Sequence, residues 1–167
     1  MKNLSNKFRG IQEIRQNDTI PFISEGEFSM HELLEYLLQK TGPAKVRITS
    51  FSITEAAVRS FLHLMETGII LHLECLFDLS VKRHKLGLLN FATNIATSIA
   101  LAKCHAKLIL IENDNWSVSV IGSANFQVND KIEAGVISTR PEFLQFYGDR
   151  FICWFLKGLL ISKDEFN

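Results

Sequence analysis

Apolar positions along the chain change period several times, and each change marks an element. Leu33, Leu34, Leu37 and Leu38 recur at helical spacing. Ser29 with Glu32 three residues later forms a capping box in front of them, and Thr41-Gly42-Pro43 ends the run. Residues 45–51 read as a strand. A second start signal, Ser52-Ile53-Thr54-Glu55, opens a helix whose one face carries Ala57, Val58, Phe61, Leu62 and Met65 and which stops at Gly68. Residues 69–77 are almost continuously apolar, as a strand covered on both faces is. Strand, helix and strand in that order predict a crossover connection and a parallel pair.

The remaining pattern adds four segments. Leu88, Leu89, Ala92, Ile95, Ala96 and Ile99 are spaced as one long helix. Two strands, near 106–112 and 116–122, flank a polar turn at 113–115, and a further strand follows at 134–138. Pro141 suits the first turn of a last helix over 141–160, with Leu144, Tyr147, Phe151, Trp154 and Phe155 inward. Phe143, Phe146 and Ile152 fall on its other faces, the pattern of a helix that is buried or at an interface. Residues 19–24 read as a short edge strand around Pro21. Residues 1–19 are polar and mixed in charge, and read as an N-terminal arm, flexible or a short helix. The expected architecture is α/β: one domain over 20–167, with a mixed sheet of six or seven strands and helices on both faces.

Composition narrows the classes. The chain has 167 residues, 47% hydrophobic and 22% charged, which is enough for a sizeable core and excludes a disordered protein. Its formal net charge is zero, so affinity for a polyanion has to come from a local patch. Cys75, Cys104 and Cys153 form neither a C-x-x-C pair nor a zinc spacing, and read as reduced thiols. No signal sequence and no apolar run long enough to cross a bilayer are present, so the expectation is a cytoplasmic protein without a membrane partner.

Candidate chemistry concentrates between Cys104 and Glu133. His105 and Lys107 lie two apart on a strand and so share a face. The turn at 113–115 reverses the chain and can return Gly122-Ser123-Ala124-Asn125 beside them. An imidazole, an ammonium, a hydroxyl and a carboxamide in one pocket suit a phosphoryl group.

These residues resemble the phospholipase D superfamily, whose signature is H-x-K-x4-D-x6-G-[GS]-x-N. His105, Lys107, Gly122, Ser123 and Asn125 match it position by position. Glu112 stands where the family has Asp, and nine residues rather than six separate it from Gly122; the hairpin turn can absorb the extra three. Asn129 and Glu133 resemble the family's following N-x-x-x-E segment. The resemblance implies a phospholipase D-like fold and a phosphodiesterase without metal or cofactor. One histidine would attack phosphorus to give a phosphohistidine, and Lys107, Ser123 and Asn125 would hold the phosphate oxygens. Glu133 would accept from the imidazole. A single motif per chain implies that a homodimer completes the site.

Nucleic acid, DNA or RNA, is the expected substrate. The chain is about the size of the small nucleases it resembles, and Lys82, Arg83 and Lys85 follow a strand end where phosphate contacts are expected, or else form a solvated helix start. Two other readings stay open: an inactive nucleic-acid-binding relative, and a phospholipase or phosphatidyl transferase. His72, Glu74 and Asp78 alternate along one strand and read as a polar sheet face or a cation site. His31 and His63 read as surface residues. Trp116 and Trp154 read as core rather than as base-stacking platforms.

Overall fold

The computed structural model describes residues 7–127 and 130–166. Eight strands form one sheet: β1 (Thr19–Ser24), β2 (Ala44–Ser50), β3 (Ile70–Asp78), β4 (Ser98–Ala102), β5 (Leu108–Glu112), β6 (Ser117–Gly122), β7 (Glu133–Ser138) and β8 (Leu159–Ile161). Their spatial order is β1-β7-β6-β5-β2-β3-β4-β8. The pairs β2/β3 and β3/β4 are parallel and all the others antiparallel, so the sheet is mixed.

Alternation sends each strand's residues to two different cores. Val46, Ile48, Leu73, Cys75, Phe77, Ile99, Ile109, Ile111, Val118 and Val120 belong to the larger one. It is covered by α1 (Met30–Thr41), α2 (Glu55–Glu66) and α4 (Leu86–Thr93), with the short α3 (Leu79–His84) running off the end of β3. Leu76, Ala100 and Leu110 point the other way and meet Leu144, Phe151 and Phe155 of α5 (Pro141–Lys157). Helices therefore lie on both faces, α5 alone on the second. Beyond the reach of α5 the second face turns polar. Glu74 there accepts from Arg47 Nε at 2.9 Å and lies 3.6 Å from Lys45 and His72. Burial works to raise the Glu74 pKa, but the Arg47 bond and neighbouring positive charge hold it below the ordinary carboxylate value. The polar sheet face read from His72 and Glu74 is this ion-pair cluster, and Asp78 is instead the N-cap of α3.

The helix starts follow from side-chain chemistry. Ser29 N–H donates to Glu32 at 2.9 Å, and Thr54 accepts from the Ala57 N–H at the start of α2. At the rim where β6 and β7 pair, Gly122 sits opposite Gly135, and Phe22 of β1 lies across them. A Cβ on Gly135 would come within 2.6 Å of the Phe22 ring and of the Ile121 carbonyl, so the close approach excludes any side chain.

Four sequence expectations need correction. The long helix through Ile99 is a short helix ending at Thr93, followed by strand β4. The side chains of Thr93 and Asn94 both donate to the Asn90 carbonyl and close the helix there. The last helix ends at Lys157, and β8 adds an eighth strand where the bare Gly158 lies against the Leu101 carbonyl. Within the expected arm, residues from 7 onward pack down: Phe8, Ile11 and Ile14 are buried, and Phe8 stacks on Tyr36 at 4.4 Å. His31 is buried rather than exposed, its Nδ1 2.9 Å from Ser29 Oγ.

Burial depresses the His31 pKa, the Glu32 charge opposes the shift and Lys7 adds to it. The unfolded chain therefore takes up this proton more readily than the folded one. The stability contributed by neutral His31 is complete above the ordinary imidazole value of about 6.5 and declines as pH falls below it. Thermal unfolding should show a lower Tm at pH 5.5 than at pH 7.5, and His31→Gln should shrink the difference. An equal drop in the variant would remove His31 as the cause.

Candidate functional site

The site forms at one end of the sheet, where β5 begins and β6 stops, and backbone bonds fix it before any functional side chain is placed. Cys104 N–H donates to Asp78 Oδ2 at 3.0 Å, which anchors the entry to the motif strand. Thr49, fully buried in β2, donates through Oγ1 to the Ala106 carbonyl at 2.8 Å and accepts from the Leu108 N–H at 3.1 Å. These two bonds bracket Lys107. On the opposite side the Gly122 N–H donates to the Lys107 carbonyl at 3.3 Å.

Held in this way, Lys107 is buried while His105 stands exposed. Lys107 Nζ lies 2.7 Å from His105 Nδ1 and 2.7 Å from the His105 carbonyl. An ammonium can only donate, so Nδ1 is the acceptor and the ring proton resides on Nε2 in this arrangement. Burial lowers the Lys107 pKa, against the opposing influence of Cys104 and the Glu133 carboxylate. Phe51 packs beside the imidazole, ring centres 5.2 Å apart.

Asn125 is aimed by its oxygen. Oδ1 accepts from Ser50 Oγ at 3.2 Å and from the Phe51 N–H at 3.1 Å, so the carboxamide N–H groups are turned away from the backbone and have no partner among the described residues. The next residue secures the loop. Phe126 is fully buried edge-on to Phe61, and its carbonyl accepts from the Thr54 N–H. Ser123 Oγ donates to Glu133 in a short bond and accepts from the Ala134 N–H at 3.1 Å. The Glu133 carboxylate accepts from the Ser123 hydroxyl, and Lys107 Nζ faces His105 Nδ1. Asn129 lies outside the described residues.

A cavity of about 400 Å³ is lined by His105, Lys107, Gly122, Ser123, Tyr147 and Trp154 among others, so four of the motif residues share one space. The basic cluster divides. Lys85 Nζ donates to Ser52 Oγ at 2.9 Å and to the Ile53 carbonyl at 2.6 Å, and so buttresses the loop behind Phe51. Arg83 is exposed and Lys82 is half-buried on α3. Sequence reading missed two participants. Asp78 carries the strand entry, and burial is outweighed by bonds from Ser80 and Cys104 that hold its carboxyl below the usual range. Trp154, expected in the core, is 36% exposed and lines the cavity beside His105. Its one usable signal was its place next to Phe155 on a helix already apolar on several sides. Among the described residues no cluster of three His, Cys, Asp or Glu is spaced to hold a metal ion, and no helix is long and apolar enough to cross a membrane.

The sequence matches no protein-family model and no curated protein. Solved structures do match its fold. Nuc from Salmonella typhimurium, described as a phospholipase D family member, superposes with a TM-score of 0.69 at 15% identity, over 87% of this chain and 99% of its own. NucT from Helicobacter pylori gives 0.64 at 15% identity, over 85% and 98%. Phosphatidylserine synthase of Haemophilus influenzae Rd KW20 gives 0.59 at 12% identity, over 88% of this chain and 40% of that one.

The Thr49 clasp is open to a direct check. Thr49→Val keeps the shape and removes the hydroxyl, leaving the Ala106 carbonyl and the Leu108 N–H unsatisfied in a buried place. Urea unfolding should register a loss of about 1–3 kcal/mol, and Thr49→Ser should recover most of it. Unchanged stability in Thr49→Val would mean that water replaces the hydroxyl and that the clasp is dispensable.

Proposed function

We propose that this chain, which has the fold of the phospholipase D superfamily, is a phosphodiesterase that cleaves nucleic acid at a site shared between two copies. The observation that carries the reading is the convergence of His105, Lys107 and Ser123 on one cavity, with Asn125 held by Ser50 and by Phe51, whose ring lies against the imidazole. An exposed imidazole beside a buried ammonium and two neutral donors is the equipment for holding a phosphate and attacking it.

The bond changes balance without a metal ion. Lys107 leaves His105 Nδ1 for the non-bridging oxygens of an arriving phosphodiester, the ring proton passes through water from Nε2 to the vacated Nδ1, and the Nε2 lone pair attacks phosphorus. A phosphorus–nitrogen bond forms and the bond to the leaving oxygen breaks, its electron pair going to that oxygen, which takes a proton from His105 of the partner subunit. Water then attacks phosphorus, His105 of the partner subunit takes its proton, and the phosphorus–nitrogen bond breaks to release a phosphomonoester and restore the ring. Lys107 and Asn125 hold the oxygens throughout. Ser123 turns its proton from Glu133 to the phosphate, and Glu133 keeps negative charge near the Lys107 ammonium. His84 and Lys85 at the end of α3 share a hollow with Phe51, and Lys82 and Arg83 belong to the same helix turn. Nucleic acid is favoured over lipid by this basic helix end. The two similar structures named Nuc and NucT, covered almost end to end by this chain, point the same way.

His105→Ala should reduce cleavage of DNA and RNA by at least about 1,000-fold, the scale of losing a nucleophile, with the circular dichroism spectrum unchanged. Cleavage should persist in EDTA, and a mixture of His105→Ala with the wild-type chain should lose activity in proportion to heterodimer formed. Full activity in His105→Ala, or abolition by EDTA, would overturn the mechanism. Salt-dependent DNA binding with no turnover would leave a binding protein instead.

A further inference from the structure

A second cavity, of about 240 Å³, opens on the other side of His105. It is somewhat smaller than the usual ligand site of about 300–1,000 Å³. Leu76, Ala102 and Ala106 give it an apolar floor, the Trp154 indole forms a wall, and Lys103 and Lys157 stand at its mouth. His105 and Trp154 line this cavity and the larger one alike, so the two adjoin at the imidazole. Both lysines are exposed, and neither makes an ion pair among the described residues. Trp154 is held at the rim by its neighbours on α5. Phe151 and Phe155 are buried in the second core, and the helical turn between them leaves the indole at the edge of that core, over the motif strand.

A flat apolar wall with two unpaired cations at its mouth, contiguous with a phosphate-handling site, fits a ligand that is aromatic and anionic in adjacent units. We infer that this cavity is a nucleobase subsite. The base next to the scissile phosphate leaves its stack and lies against Trp154, while Lys103 and Lys157 meet the following phosphate. This rests on the nuclease reading of the preceding section and adds a substrate class to it. A base inside a continuous duplex has to be unstacked at a cost of a few kcal/mol before it can enter, so single strands, frayed ends and unpaired positions are preferred over intact duplex.

The test uses binding, so that it is readable apart from turnover. The chain has two tryptophans, and replacing Trp116 with Phe leaves Trp154 as the reporter. In a Trp116→Phe, His105→Ala background, a short single-stranded oligodeoxynucleotide should quench Trp154 fluorescence. The same strand with an abasic site at the contacted position, and an intact hairpin duplex, should quench it far less. Base–aromatic stacking of about 1–3 kcal/mol corresponds to roughly 5- to 150-fold in affinity. Trp154→Ala, followed by anisotropy of a labelled strand, should weaken single-strand binding by that factor, and Trp154→Phe should restore part of it. Circular dichroism confirms that each variant folds. Equal affinity for the intact and abasic strands would overturn the subsite. So would an indole in the unliganded protein that acrylamide does not quench, because a second copy would then cover it, and so would quenching by anionic phospholipid vesicles in place of DNA. If His105→Ala abolishes cleavage and the Trp154 variants bind and cut as the wild type does, the subsite falls and the nuclease reading stands. If nothing is cleaved and Trp154 still reports single strands, the reverse holds.

Discussion

One buried hydroxyl organises the reactive edge. The segment that carries Lys107 precedes the first ladder pair of β5, and unpaired backbone groups in a dry place are costly. Thr49 meets this need, giving its proton to the Ala106 carbonyl and taking the Leu108 N–H. β5 joins the ladder only from Leu108 onward, where Leu108 pairs with Thr49 itself. The segment before it is tied down at Cys104 by Asp78 and at Lys107 by Gly122. His105 is thus free to stand out while the backbone on both sides of it is held. A β-branched residue there also suits the strand, so local preference and site construction agree at position 49.

The two faces of the sheet divide the labour. The first face, under α1, α2 and α4, supplies most of the apolar burial and carries no candidate chemistry. The second is covered by a single helix and therefore has an edge, and the edge is where both cavities lie. The C-terminal part of α5 forms the wall through Trp154 and Lys157, and its N-terminal part meets the Arg47–Glu112 pair through the bare face of Gly148. A Cβ at Gly148 would sit 3.7 Å from the Arg47 guanidinium, in ordinary contact with it. The helix that closes the second core thus also sets how far the imidazole is open to a ligand.

Much of this was legible in the chain. Ser29 with Glu32, Thr54 before α2, and Pro141 at the start of α5 announced their helices, because a cap is a local bond between near neighbours. His105, Lys107, Gly122 and Ser123 line one cavity because a hairpin brings its own ends together. What stayed hidden depended on distant partners. β4 is five residues long, and its Ile99 continued the spacing of the helix before it; only pairing with β3 and β8 makes it a strand. β8 has three residues and exists because Gly158 lets the chain approach Leu101. Phe8, Ile11 and Ile14 are sparse among polar neighbours, and nothing nearby in sequence shows that Phe28 and Tyr36 wait for Phe8. Trp154 and Phe155 are adjacent and equally apolar, and the tertiary position of α5 alone decides which of them faces the cavity.

The same geometry bears on the two departures from the phospholipase D signature that the motif residues resemble. Glu112 stands where that signature has Asp, and the hairpin after it is longer by three residues. Glu112 ends β5, five residues beyond Lys107, and a strand advances roughly 3.3 Å per residue. The substituted carboxylate therefore lies on the order of 17 Å along the strand from the ammonium. It is occupied there with Arg47 Nη1 at 3.5 Å. The added residues form a closed turn: Asn113 Oδ1 accepts from the N–H groups of Asn115 and Trp116, and Asn113 Nδ2 donates to the Thr41 and Pro43 carbonyls at the end of α1. The register between β5 and β6 is untouched, running without a shift from Glu112 opposite Ser117 to Leu108 opposite Ile121. Register is what delivers Gly122 and Ser123 to His105. A hairpin can lengthen at its far end, exchanging one carboxylate for another, while the end that carries the chemistry keeps its pairing.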